Sequence, residues 1–147
     1  MRTLAVINAT KLNEYAFLPV AEGQNAFERT MQLAVTYCRP EDTLVLIGED
    51  QEPPLLPPGA VLGRSRVSGM LDIMVAMKAF AEERKDADAL LYAHGDGPFL
   101  DRELTERLLA LHRQYRAEYT YADGYPAGFS PEVLSTRILP NLVDLAS

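Results

Sequence analysis

Asp96 is the residue of this chain best placed to do chemistry, with His94, Lys11 and Asp123 to be weighed beside it. It belongs to Ala87–Asp101, ADALLYAHGDGPFLD, where an apolar run from Ala89 to Ala93 stops at His94-Gly95-Asp96-Gly97-Pro98. The run is too short for a helix and bounded by polar residues, which suits a strand covered on both faces. Two glycines and a proline then force the backbone out of the sheet. Asp101 stands where a helix N-cap should be, ahead of Arg102-Glu103-Leu104. An acid at the carboxyl end of a buried strand is where open α/β sheets place their ligand chemistry. Such a carboxylate can hold Mg²⁺, which takes one or two carboxylates plus phosphate oxygens. Asp123 is the candidate for a second metal acid. The bland reading is that Asp96 merely makes an Asx-turn between strand and helix, and spacing alone leaves the two even.

Other candidates are thinner. The loop after the first strand, NATKLNEYAFLPV, holds no glycine before Gly23, so its backbone lacks the usual phosphate-cradling signature. Lys11 could counter a phosphate charge there, although a loop lysine is more often simply solvated. Neither a Walker A sequence nor GxGxxG is present. Arg64 and Arg66 flank the start of a predicted helix and could meet an anion. Cys38 sits at a helix end, where no dipole favours its thiolate. No GxSxG occurs, no Cys/His cluster has zinc spacing, and His112, beside an apolar helical face, reads as structural.

The elements that must position Asp96 alternate. Thr3–Asn8, Thr43–Gly48, Ala89–Ala93 and Glu118–Ala122 read as strands, with Ala60–Leu62 a short edge addition. Gln24–Tyr37, Met70–Glu83 and Asp101–Tyr115 carry apolar stripes at helical spacing. Ser130-Pro131-Glu132 reads as an N-cap with proline at N1, predicting a last helix from Pro131 toward Leu139, where Pro140 interrupts it. Four prolines within Glu49–Gly59 make a stiff connection. The alternation predicts a three-layer α/β/α sandwich with a mostly parallel sheet. Its strand-to-helix loops, Asn8–Lys11, Gly48–Asp50, Gly95–Pro98 and Asp123–Gly128, should share one edge.

With 147 residues, nearly half of them apolar, the chain reads as a single domain over 1–147 with a sizeable core. The net charge of −7 argues against duplex binding, which needs a basic face, yet leaves room for a small phosphorylated ligand. One cysteine fits a reducing compartment, and LAVI near the start is shorter than a signal-peptide core. A cytoplasmic domain with neither nucleic-acid nor membrane partners is the expectation.

LAVINATKLNEYAFLPVAEGQNAFERTMQLA, VSGMLDIMVAMKAF and ALLYAHGDGPFLDRELTERLL together resemble the nucleotidyltransferases that activate sugars and related acids, the Rossmann-like nucleotide-diphospho-sugar transferases of GT-A type. The resemblance implies that Asp96 is the metal-binding acid and that Asn8, Ala9 and Thr10, with Lys11 as a catalytic cation, form the phosphate loop. It also implies that Ser68 and Gly69 contact the base side of a nucleotide or nucleotide-sugar. The family's glycine-rich loop and its Arg/Pro-Lys pattern are missing, since Leu18-Pro19 is followed by Val20. EYTYADGYPAGFSPE, from Glu118 to Glu132, resembles the N-terminal region of spirochaete radical-SAM/SPASM proteins. That implies one domain of a longer polypeptide, although the cluster-binding cysteines of those proteins are absent. The expected function is a nucleotidyltransferase-like domain with Mg²⁺ as cofactor and its activity partly lost. The alternative is a non-catalytic ligand- or peptide-recognition domain attached to a radical-SAM enzyme.

Overall fold

The computed structural model of the chain describes residues 2–12, 14–21, 23–66, 69–97, 100–125 and 130–147. Among them, six strands form the main sheet: β1 (Arg2–Asn8), β4 (Thr43–Gly48), β5 (Val61–Ser65), β6 (Ala87–His94), β7 (Tyr119–Thr120) and β8 (Glu132–Ser135). Their order across the sheet is β5-β4-β1-β6-β8-β7. The first four run parallel, and β8 runs antiparallel to both neighbours. A small antiparallel ribbon, β2 (Pro19–Ala21) with β3 (Gln24–Asn25), lies outside it.

Strand parity divides the core in two. Ala5, Ile7, Val45, Ile47, Leu91 and Ala93 face one side, where Phe27 and Met31 of α1 (Ala26–Tyr37) and Leu108 and Leu109 of α3 (Arg102–Gln114) cover them. Leu4, Val6, Leu44, Leu46, Leu90 and Tyr92 face the other, under Ile73, Met77 and Phe80 of α2 (Met70–Glu82) and Leu139 of α4 (Leu139–Ala146). The architecture is therefore the expected three-layer α/β/α sandwich with a mostly parallel sheet. Asn25 and Glu28 close a capping box on α1, and Asp101 caps α3 by accepting the Leu104 N–H at 2.8 Å. Cys38 ends α1, and burial pushes its thiol up to about 12, with the charge of Asp42 adding to the effect. It carries no thiolate at neutral pH.

The expected helix from Pro131 to Leu139 is not formed. Glu132–Ser135 is β8, Thr136–Ile138 is a 3₁₀ turn, and the helix begins at Leu139, with Pro140 in its first turn. Val133 and Leu134 point to opposite faces of the sheet and are buried in different halves of the core. That burial outweighs the local N-cap signal. Pro140 opens the helix because a first-turn N–H has no helical partner to lose. The edge strand expected over Ala60–Leu62 instead runs to Ser65, so Gly63 and Arg64 lie within it. A Cβ on Gly63 would stand only 2.9 Å from the Leu46 side chain. Glu118–Ala122 shrinks to the two-residue strand β7.

Candidate functional site

The chain leaves β1 in one direction, to β4 and β5, and then crosses back to β6 on the other side of β1. The carboxyl ends of β1 and β6 are thus the point at which the winding reverses, where open α/β sheets leave a crevice. A cavity of about 220 Å³ opens there, lined by Asn8, Thr10, Lys11, Leu12, Met70, Ile73, Tyr92, His94 and Asp96.

Register and parity assemble it. Asn8 pairs with His94 across β1 and β6, and Val6 pairs with Tyr92. Tyr92 and His94, two apart at the end of β6, share the face of the strand toward α2, and Asp96 in the turn that follows lines the same cavity. The His94 ring meets the Tyr92 ring edge-on, with centroids 5.4 Å apart; it is exposed at the cavity and not packed beneath the loop. Asp96 is exposed and, among the described residues, takes part in no hydrogen bond or ion pair. Gly69 is the N-cap of α2, whose first turn receives no side-chain cap, and Met70 and Ile73 bring that helix start to the cavity wall.

The loop after β1 is tightly organised. Asn8 Oδ1 accepts the Thr10 N–H at 3.1 Å and its hydroxyl at 2.7 Å, while Asn8 Nδ2 donates to the Tyr92 hydroxyl oxygen at 3.0 Å. Ala9 is fully buried and outside the cavity; its N–H donates to the Leu46 carbonyl, and its carbonyl accepts from Gln51 Nε2. The amides of Ala9 and Thr10 are both occupied, so this loop offers a phosphate fewer N–H donors than its position in the fold suggests. Gln51 also accepts the Gly48 N–H at 3.0 Å, which ties the loop after β4 to the loop after β1.

Gly95 brings the β6 loop against the same neighbours. Its N–H donates to the Asn8 carbonyl at 3.0 Å, and a Cβ built on it would lie 3.2 Å from Leu12 and from Phe27. Because those neighbours must give way, Gly95→Ala is expected to cost about 1 kcal/mol through overpacking and to displace Leu12 at the cavity wall. Chemical denaturation would check the cost; a variant as stable as the parent would contradict the tight fit.

Other sequence candidates stand apart. Asp123 is on an exposed turn beyond β7, two strands from β6, and does not line the cavity. Ser68 lies outside the described residues. Arg64 donates through Nη1 to the carbonyls of Gly48, Glu49 and Gln51, a loop-bracing role, and Arg66 reaches Glu49 at 3.7 Å. His112 is buried between Thr120 and Ser135. Tyr92, Leu12 and Gln51 were not legible as site residues. The one available signal was a tyrosine within an otherwise aliphatic strand. Among the described residues no three His, Cys, Asp or Glu side chains cluster to form a metal cage.

No family model matches the sequence. The chain is 35% identical over 86 residues to an uncharacterized protein of Treponema pallidum (strain Nichols), a match covering 58% of this chain and 39% of that protein. In structure, 99% of it superposes on 65% of a cytidylyltransferase from Leptospira borgpetersenii, with a TM-score of 0.69 and 17% identity. The fold is that of the nucleotidyltransferases. A 2-C-methyl-D-erythritol 4-phosphate cytidylyltransferase from Thermus thermophilus superposes over 99% of this chain and 76% of its own, at TM-score 0.65 and 19% identity. A Mycobacterium tuberculosis protein solved in complex with manganese superposes over 97% and 76%, at 0.66 and 16%. The chain therefore spans less than two thirds of both: its matched part covers 39% of the length of the Treponema protein, and its fold covers 65% of the Leptospira enzyme. No helix among the described residues is long and apolar enough to cross a membrane.

Proposed function

We propose that this chain is a nucleotide-binding domain whose chemistry, where retained, is nucleotidyl transfer at the carboxyl edge of the sheet. The observation that carries the reading is the cavity at the β1/β6 switch point, where Lys11, Asp96 and the uncapped start of α2 meet. In such a transfer, an acceptor oxygen bonds to the α-phosphorus of a nucleoside triphosphate and pyrophosphate leaves. The acceptor would be a small phosphate or acid, giving a nucleotide-linked product.

Asp96 would hold a divalent cation, Mg²⁺ or Mn²⁺, and Lys11 would offset phosphate charge. Asn8 and Thr10 would shape the floor, while Gly69, with Ser68 beside it, would let the backbone approach the nucleoside. A single carboxylate with no cage around it suits a cation that arrives with phosphate oxygens. Once bound, such a cation neutralises phosphate charge and orients the groups that react. Asp123 would contribute a second acid only through movement of its loop. The domain would be one unit of a longer, cytoplasmic protein.

A second reading draws on the occupied amides of Ala9 and Thr10. With so few phosphate donors, the domain would recognise a ligand or peptide without turning it over, on behalf of an attached enzyme such as a radical-SAM protein. A thermal-shift series separates the two readings. A triphosphate at 100 times its dissociation constant should stabilise by about 2.7 kcal/mol, or roughly 5–10 °C for a domain of this size. That shift should need Mg²⁺ or Mn²⁺ and should vanish in Asp96→Asn. No metal-dependent shift with any of the four ribonucleoside triphosphates would replace the first reading by the second.

A further inference from the structure

Tyr92 is 4% exposed, yet it lines the cavity, and its hydroxyl is bonded to Asn8, another lining residue. Two donors from Thr10 converge on one end of the Asn8 side chain, which must therefore be the oxygen. The other end is the NH₂, and it donates to the Tyr92 oxygen. A phenol that accepts there still has its own proton to give. Glu132, paired with Tyr92 across β6 and β8, lies near enough to raise the pKa of the phenol, but among the described residues no hydrogen bond takes that proton. The polarity of the relay runs one way, from Thr10 to Asn8 to Tyr92.

We infer that Tyr92 is a ligand-reading residue: its hydroxyl donates to an acceptor atom, a carbonyl oxygen or ring nitrogen, on the group that fills this cavity. The inference rests on the nucleotide reading above and assigns the inner end of that site. The position suits a flat ring, because Leu12, Met70 and Ile73 supply apolar walls around the buried hydroxyl. Lys11 and Asp96, both exposed, mark the mouth. Discrimination follows from chemistry. A group presenting a donor at this depth would compete with Asn8 for the phenol oxygen and leave the Tyr92 proton without a partner.

The test is calorimetric binding of CTP, UTP, ATP and GTP with Mn²⁺ to the full chain and three variants. Tyr92→Phe removes the donor and should weaken the best-bound triphosphate by about tenfold. Asn8→Asp keeps an acceptor for Thr10 but turns the Tyr92 proton inward, toward the new carboxylate. Adding Tyr92→Phe to Asn8→Asp should then cost less than about twofold, because the hydroxyl no longer points at the ligand; the added charge is common to both members of that comparison. A merely structural role for the hydroxyl would instead cost the same in either background. Melting temperatures of the unliganded variants report any loss of fold. Tyr92→Phe binding as tightly as wild type, or multiplicative losses in the double variant, would overturn this inference alone. Failure of the wild type to bind any of the four would overturn the nucleotide reading and this inference with it.

Discussion

Asp42→Ala is expected to lose about 3–5 kcal/mol of folding free energy, the usual cost of removing one partner from a buried ion pair. Asp42 is 1% exposed and sits at the edge of the sheet opposite the cavity. Its carboxylate takes Arg2 Nη2 at 2.8 Å and Nε at 3.0 Å, a two-pronged contact, with Arg84 Nε at 3.3 Å beside it. Arg2 also pairs with Asp86. Arg84 in turn stacks its guanidinium on Phe80 and donates to the Glu41 and Phe80 carbonyls. Alanine would take the carboxylate from both guanidinium groups, leaving Arg2 with Asp86 alone and Arg84 without its buried partner.

The same cluster sets an acid limit. The hydrogen bond from Arg2, foremost, and the charges of Arg2, Arg84 and Arg39 hold the Asp42 carboxyl below its ordinary 3.8. Its stabilisation is therefore complete above pH 3.8 and is lost as pH falls through the lower, folded value. Asp42→Asn should have a flatter stability profile below pH 4 than the parent. Urea midpoints measured from pH 2.5 to 7 check both statements. A loss under about 1 kcal/mol at pH 7 would mean that the pair does not hold this end of the sheet.

What could be read in the amino-acid order follows the strength of local signals. Ala89–Ala93 ending at His-Gly-Asp-Gly-Pro announced a buried strand and the loop that carries Asp96, because few other structures tolerate that sequence. The grouping of Asn8 with His94 depends on strand register, which no local pattern encodes. Tyr92 was hidden because a tyrosine within an aliphatic run reads as bulk, and only the Asn8 contact gives its hydroxyl a direction. Ser130-Pro131-Glu132 carries a strong helix-start signature. It was overridden by the burial of Val133 and Leu134 on a sheet built from residues some forty positions earlier in the chain. Asp123 did come to the expected edge, since β7 runs parallel to β6 across β8. It lies one strand pair too far out to share the cavity with Asp96. The occupied amides of Ala9 and Thr10 were equally unreadable, since both depend on partners brought in by tertiary structure or by a side-chain turn.

The buried histidine gives the second large effect. Ser135 has one proton, and it goes to the Ala117 carbonyl at 2.6 Å, so its oxygen must accept from His112 Nε2 at 3.0 Å. Nδ1 is then the acceptor, and the Thr120 hydroxyl donates to it at 2.8 Å. One neutral ring in one tautomer thereby joins α3 to β7 and β8, the two strands that complete the sheet beyond β6. His112→Ala should cost about 2–4 kcal/mol, combining a core cavity with two hydroxyls that lose their partner. Burial, foremost, and the charges of Arg113 and Arg137 lower the pKa of this imidazole below 6.5, against the pull of Asp88. The unfolded chain therefore takes up a proton near pH 6.5 that the folded chain refuses. The stabilisation it gives is full above pH 6.5 and is lost as pH falls toward the depressed folded value. His112→Gln should be less stable at pH 7 and should lack the decline that begins as pH falls below 6.5, a window that opens well above that of Asp42. Parallel declines in the parent and His112→Gln would mean that the ring accepts a proton in place, and that the Thr120 hydroxyl turns to receive it.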